Sequence, residues 1–172
     1  PGWNQSTYIH GRVANHGFLQ LSNNIYGTGR IENFGTLRAD GANLLSQNNA
    51  AGLWLMNHGR LVVSSNRYLF VDVLTNAGSV TAESLAGFGA RLYVQTGGET
   101  LLTNVGIYQD VRMMIEGGTL AVSGQAGGTI AVTNATMDIG FPFGRFSANV
   151  LRLNSNSVLN IDLGGTQPAP TM

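Results

Sequence analysis

Histidine is the residue type in this chain best suited to metal binding, and two of its three histidines share a sequence context. His16 and His58 each follow an Asn and precede a Gly, and Phe34 holds the same place between them. If these segments stack as successive strands, the two imidazoles lie about 9–10 Å apart, whereas ligands of one metal lie about 2 Å from the ion. The pattern favours a stack of rings at a corner, and it predicts no metal site and no cofactor.

Carboxylates are the next candidates, because paired acids cleave glycosidic bonds. Asp40 and Glu83 both stand seven residues after a repeated Asn position, which places them about 10 Å apart in a stack, near the upper limit for an inverting pair. Their column otherwise holds the small polar residues of a solvated turn: Ser22, Ser64, Thr103 and Ser123, and then Asp162. A polysaccharide lyase would need clustered acids for Ca²⁺ and a basic residue as base, but the acids are scattered and Lys is absent. We therefore predict no catalytic residue and favour a protein that is not an enzyme.

Aromatic residues supply the strongest candidates for ligand binding. Eleven or twelve residues after the repeated Asn come Tyr26, Leu44, Tyr68, Phe88 and Tyr108. Trp54 and Tyr93, three residues before it, form a weaker second strip. Such columns predict either a sugar-binding strip on a flat face or aromatic packing in a core or along an edge, and tyrosine suits both because it has an apolar ring and a polar tip. Packing is the favoured interpretation.

The composition limits the possible partners. The 172 residues include nine basic and nine acidic side chains, so the net charge is zero and only 10% of residues are charged. A nucleic-acid binder needs a basic face, and a transmembrane helix needs about 20 apolar residues in a row; the sequence has neither, and we predict neither partner. Low charge with 24 Gly and abundant Asn is typical of extracellular or cell-surface β-solenoids.

The elements that must position these residues follow from an internal repeat. The motif is apolar, any, Asn, any, Gly, any, apolar, any, apolar. It begins at Val13, Ile31, Leu55 and Leu74, and weaker copies continue the frame. With Asn as origin, the copies fall at 15, 33, 57, 76, 96, 116, 134 and 155, an average spacing near 20 residues.

Each copy alternates apolar and polar residues after its Gly, as in a short strand with one buried face. A unit of this size cannot bury its own apolar face, so the copies must stack. The sequence predicts an all-β, right-handed parallel β-helix of about eight coils. An antiparallel sandwich or barrel is the alternative, although two-residue hairpin signals are scarce.

The copies Val13–Leu21, Ile31–Ala39, Leu55–Val63 and Leu74–Ala82 resemble the rungs of bacterial autotransporter passenger domains and filamentous-haemagglutinin-type adhesins. The resemblance covers about residues 13–163 and concerns architecture. It implies a secreted or surface-exposed protein, and it transfers no functional residue.

We expect one β-helix domain over 1–163, in which residues 1–12 form a possible N-terminal cap with Trp3, followed by a linker-like tail at 164–172. Phe141–Phe146 is expected to form an outward loop. The leading functional prediction is a non-catalytic structural or adhesive module that self-assembles by stacking or lateral contact. The alternative is a carbohydrate-binding or carbohydrate-processing β-helix whose aromatic strip meets surface glycans. Its ligand-binding residues would be Tyr26, Tyr68, Phe88, Tyr108, Trp54 and Tyr93.

Overall fold

The computed structural model describes residues 7–22, 25–40, 43–46, 52–83, 86–107, 111–140 and 145–162, and the regular structure in these ranges is β-strand throughout. The strands are β1 (Thr7–Ile9), β2 (Arg12–Asn15), β3 (Phe18–Leu21), β4 (Ile25–Gly27), β5 (Arg30–Asn33), β6 (Thr36–Ala39), β7 (Asn43–Ser46), β8 (Trp54–Asn57), β9 (Arg60–Val63), β10 (Tyr68–Asn76), β11 (Ser79–Ala82), β12 (Gly87–Gln95), β13 (Glu99–Ile107), β14 (Arg112–Ile115), β15 (Thr119–Val132), β16 (Thr136–Ile139), β17 (Phe146–Leu153) and β18 (Val158–Ile161).

The strands stack in parallel as a β-solenoid of about seven turns with a repeat near 19 residues. Sheet 1 runs from β2 through β5, β8 and the second half of β10 to the end of β17. Sheet 2 runs from β3 through β6, β9 and β11 to β18. Sheet 3 runs from β1 through β4, β7 and the first half of β10 to the start of β17. The parallel solenoid predicted from the repeat is confirmed.

The core lies between the sheets and is built from alternate residues of each strand. In sheet 1, Ile31, Leu55 and Leu74 follow one another in register and are fully or almost fully buried. Leu37, Leu61 and Val80 do the same in sheet 2. Because side chains of a strand alternate between its faces, the intervening residues point outward.

A glycine turn joins sheet 1 to sheet 2 in the first coils. At Gly59 an added Cβ would lie 2.1 Å from the carbonyl oxygen of Gly35 in the coil below. This close approach of two backbones explains the Gly of the repeat motif.

The turn also explains where the predicted repeat frame is wrong. Asn76 is paired with Gln95, and Gln95 with Ile115, so the predicted origins Thr96 and Glu116 are one residue late. The turn gains a residue here, since Ser79 lies three residues after Asn76 but its register partner Glu99 lies four after Gln95. The column continues through Val132 and Leu153, so the origins at 134 and 155 are two residues late.

Parts of the predicted domain organisation lie outside the described residues: Trp3, the loop residues 141–144 and the tail at 164–172. Within the predicted cap, Thr7–Ile9 is a strand that pairs with Ile25–Gly27.

Candidate functional site

An asparagine ladder runs through the interior of the first coils. Asn15, Asn33, Asn57 and Asn76 are stacked in register and buried. Each Nδ2 donates to the next Oδ1 at 2.7, 2.7 and 2.8 Å. Each of the first three also donates to a backbone carbonyl of the next coil, at 2.9–3.0 Å. The ladder thus satisfies buried polar groups and ties four coils together, which is a structural role.

A buried polar cluster ends the ladder. Asn76 donates to the Thr100 hydroxyl at 3.3 Å, and Thr100 donates to Gln95 Oε1 at 2.7 Å. The Tyr93 hydroxyl donates to the same Gln95 oxygen at 3.1 Å and also contacts the Thr100 hydroxyl. Burial raises the pKa of Tyr93 far above its usual range and keeps the phenol protonated as a donor.

The rings of His16, Phe34 and His58 form the stack that the sequence predicts. Ring centroids are 4.9 Å apart for His16 and Phe34 and 5.0 Å apart for Phe34 and His58, with interplanar angles of 3° and 9°. Phe34 lies between the imidazoles, so this pair does not converge on a common point. Among the described residues, no group of three or more His, Cys, Asp or Glu side chains is placed to hold a metal ion.

Glu32 lies on sheet 1 between two arginines. Its Oε2 is 2.5 Å from Arg12 Nη2 and its Oε1 is 2.6 Å from Arg30 Nε. The hydrogen bond from Arg12 is the main reason that the pKa of Glu32 lies below its ordinary value. The carboxylate is therefore held ionised, and its ion pair with Arg12 links two neighbouring coils.

The two acids weighed as a catalytic pair each have their own partners. Asp40 accepts hydrogen bonds from Ser64, Arg38 and Gln20, the last at 2.6 Å. The hydrogen bond from Ser64 and then that from Arg38 lower the pKa of Asp40. Glu83 accepts from the backbone N–H and hydroxyl of Ser65 at 3.1 and 3.2 Å. These contacts fit the predicted role of turn residues that tie neighbouring coils.

Tyr26, Tyr68 and Phe88, which the sequence predicts in one aromatic column, lie at three different register positions of sheet 3. Tyr26 pairs with Tyr8, and the two rings stack 5.7 Å apart. Tyr68 pairs with Gly87, one register position away from Phe88. Phe88 belongs to the inward column and is 1% exposed, whereas Tyr68 is 46% exposed. The single column predicted from spacing is wrong, because Tyr68 and Phe88 fall on opposite faces of the sheet.

The second predicted strip is divided in the same way. Trp54 points outward and is 50% exposed, whereas Tyr93 lies fully inside the core. The shifted frame explains this, since the register partner of Trp54 is Val73 and that of Val73 is Leu92. Trp54 lines a shallow groove of about 400 Å³ with His10, Arg12 and Arg30. Tyr108 lies outside the described residues.

A larger open groove of about 580 Å³ crosses sheet 3 beside Tyr68. Its floor includes Gly87 and Gly106, and three amide side chains line it, those of Asn104, Gln125 and Asn149. Tyr68, Gly87, Gly106 and Gln125 are consecutive register partners on four coils. Of the five residues predicted for ligand binding that the structure describes, only Tyr68 lines this groove.

The amides and glycines of the groove are the residues that the repeat analysis missed. The signal in the sequence is a glycine at an outward strand position, as at Gly87 and Gly106. The repeat motif is defined by inward residues, so it treats these outward positions as variable. Such a glycine indicates either a bulge or a place where something approaches the backbone.

The comparisons with known proteins add no relative. No protein-family model, no curated protein and no solved structure matches the chain. Within the described ranges, no helix is long and apolar enough to cross a membrane.

Proposed function

We propose that this chain is a non-catalytic structural and adhesive solenoid module of an extracellular or cell-surface protein, and that copies of it assemble end to end. The observation that carries the proposal is the exposure of core columns at β17 and β18, the last coil that the structure describes. Leu153 is 44% exposed and Ile161 is 55% exposed. In earlier coils the same columns hold Val132 and Val122, which are 0% and 1% exposed.

The strand edges at both ends support a second copy as the occupant of this surface. Among the described strands, β2 and β3 pair on one side only, and so do β17 and β18. An unpaired edge is a template for another strand. A copy stacked in the same orientation continues the parallel pairing of β3 over β18 and places Leu19 over Leu159, both of which are only partly buried.

Such a contact joins two different surfaces of the protein. Head-to-tail contacts that do not close into a ring generate open filaments. A filament of stacked coils agrees with a structural role. The low charge and a rung pattern that resembles those of autotransporter passengers and haemagglutinin-type adhesins support the extracellular setting.

The test is association of the purified chain, followed by sedimentation velocity over a concentration series and by electron microscopy. We expect concentration-dependent linear assemblies. Ile161→Lys should weaken association by at least about tenfold, or about 1.4 kcal/mol, because a lysine on the edge would be desolvated by the next copy.

Trp54→Lys is the matched control, because it places the same charge at a similarly exposed apolar residue on the side of the rod. It should leave assembly unchanged. A wild-type chain that stays monomeric at every concentration would contradict end-to-end assembly, as would an Ile161→Lys chain that assembles as the wild type does.

A further inference from the structure

We propose that the sheet 3 groove is a binding site for a neutral oligosaccharide. The groove lies on the outward face of sheet 3 and reaches β17 at Asn149. The assembly proposal depends on the strand edges and core columns of the end coils, so the two proposals concern different surfaces. The groove has an exposed ring at one end and amides at the other. Three strand spacings separate Tyr68 from Gln125 along the register, or about 14 Å, which suits an extended ligand of several sugar units.

Two backbone irregularities shape the groove. The pairing of β13 with β15 shifts register between Leu102 and Val105, and that of β15 with β17 shifts between Ala126 and Thr129. Such bulges re-aim side chains. They place Asn104 and Gly127 beside the same surface.

Asn104 is held in an unusual conformation at the first bulge. Its φ is 50°, in the left-handed region, and its backbone N–H donates to the buried Ser123 hydroxyl at 2.8 Å. Asn149 donates to the carbonyl of Gly127 at the second bulge. The left-handed backbone at Asn104 and the hydrogen bond from Asn149 to Gly127 hold two of the three amide residues at the groove.

Packing does not require the glycine at position 106 of the floor. A Cβ added at Gly106 would have no atom within 4 Å, although β-strands disfavour glycine. The absence of a side chain at this position keeps the groove open and its backbone accessible. Gly35 and Gly59 differ, because another coil lies against each of them.

The chemistry of the lining selects the ligand class. A primary amide both donates and accepts hydrogen bonds, which matches hydroxyl groups that do the same. The ring face of Tyr68 offers an apolar surface for the C–H face of a pyranose. The lining residues within the described part of the chain carry no charge, and this favours a neutral sugar over an acidic one. An apolar wall with a few placed polar groups is the usual composition of a ligand site.

The experiment is isothermal titration of the purified chain with neutral hexasaccharides of glucose, mannose and xylose, with oligogalacturonate as the acidic comparison. We expect saturable binding of at least one neutral hexasaccharide and none of oligogalacturonate. Tyr68→Ala should raise the dissociation constant at least tenfold, because the stacking surface is lost.

Gly106→Val should also weaken binding at least tenfold by filling the floor, while the melting temperature stays at or above that of the wild type. Thr81→Val is its control, since it places the same side chain at an outward position of sheet 2, far from the groove and from both end coils. It should bind as the wild type does. Absence of binding to every neutral hexasaccharide, or binding that survives both groove variants, would overturn the proposal.

Discussion

One interior column of sheet 1 has two different chemistries along its length. In the first four coils it is the hydrogen-bonded ladder of Asn15, Asn33, Asn57 and Asn76. In the last three it is apolar, with Ile115, Val132 and Leu153 in register. Gln95 lies between the two and belongs to the polar cluster with Tyr93 and Thr100.

The turn that follows the column changes with it. Beside the ladder the turn is short, and Asn15 and Asn76 accept the N–H of the residue two positions ahead at 3.1 and 3.2 Å. Beyond Gln95 the turn is longer and has a residue in the left-handed region: Gly98 and Gly118 at φ values of 69° and 75°, then Asn134 and Asn156 at 50° and 55°. The short turn places backbone groups within hydrogen-bond reach of the asparagine side chains, whereas beside the longer turn the column is packed from apolar side chains.

The largest loss of folding stability is expected from a substitution in the middle of the asparagine ladder. Asn57→Leu should lower the free energy of unfolding by about 4 kcal/mol, because the buried Asn33 Nδ2 and Asn76 Oδ1 each lose a partner worth about 1–3 kcal/mol. Ile115→Leu is the control in the apolar part of the same column and should cost about 1 kcal/mol or less. Denaturant unfolding followed by circular dichroism measures both, and equal losses would show that the two chemistries are interchangeable.

A smaller loss of folding stability is expected when an asparagine is introduced into the apolar part of the column. Val132→Asn should cost about 3 kcal/mol, since the amide would be buried between Ile115 and Leu153 without a partner. The double variant Ile115→Asn, Val132→Asn should cost less than the sum of its single variants, because amides on adjacent coils can bond as in the ladder. A double-mutant cycle measures this coupling, and strictly additive losses would contradict it.

The smallest loss of folding stability is expected from a substitution in the polar cluster of Tyr93, Gln95 and Thr100, and its size depends on pH. Tyr93→Phe should cost about 1 kcal/mol near neutral pH through loss of the hydroxyl. The raised pKa of Tyr93 means that above about pH 10 the unfolded chain releases this proton while the folded chain keeps it. Folding stability of the wild type therefore falls as pH rises through this range.

The variant should lose less stability over the same pH range, so the difference between the two proteins narrows. Unfolding measured from neutral to alkaline pH tests this. A constant difference at every pH would mean that Tyr93 ionises as easily in the folded chain as in the unfolded one.

The repeat predicts the solenoid because stacked coils require an apolar residue at fixed inward positions. It predicts the His16–Phe34–His58 stack for the same reason, since those coils share one turn length. The frame fails from Gln95 onward because the motif fixes the turn glycine two residues after the Asn position, whereas the turn has gained a residue before Gly98. A one-residue error exchanges the two faces of a strand, which is why Tyr93 was assigned to the same strip as the exposed Trp54.

The groove was beyond prediction for a related reason. Tyr68 was identified as an aromatic residue, but its partners Asn104 and Asn149 are brought to it by register shifts that no repeat specifies. Backbone irregularities are local responses to packing, and a pattern averaged over coils removes them.

The asparagine ladder has one further consequence. The side-chain amides of Asn15, Asn33 and Asn57 are oriented the same way, because each Nδ2 faces a backbone carbonyl of the next coil. The amide dipoles therefore add along the axis, and a single reversed amide would oppose both of its neighbours. The solenoid therefore has a dipole along its axis as well as a chain direction. A copy stacked in the opposite orientation would bring dipole ends of the same sign together.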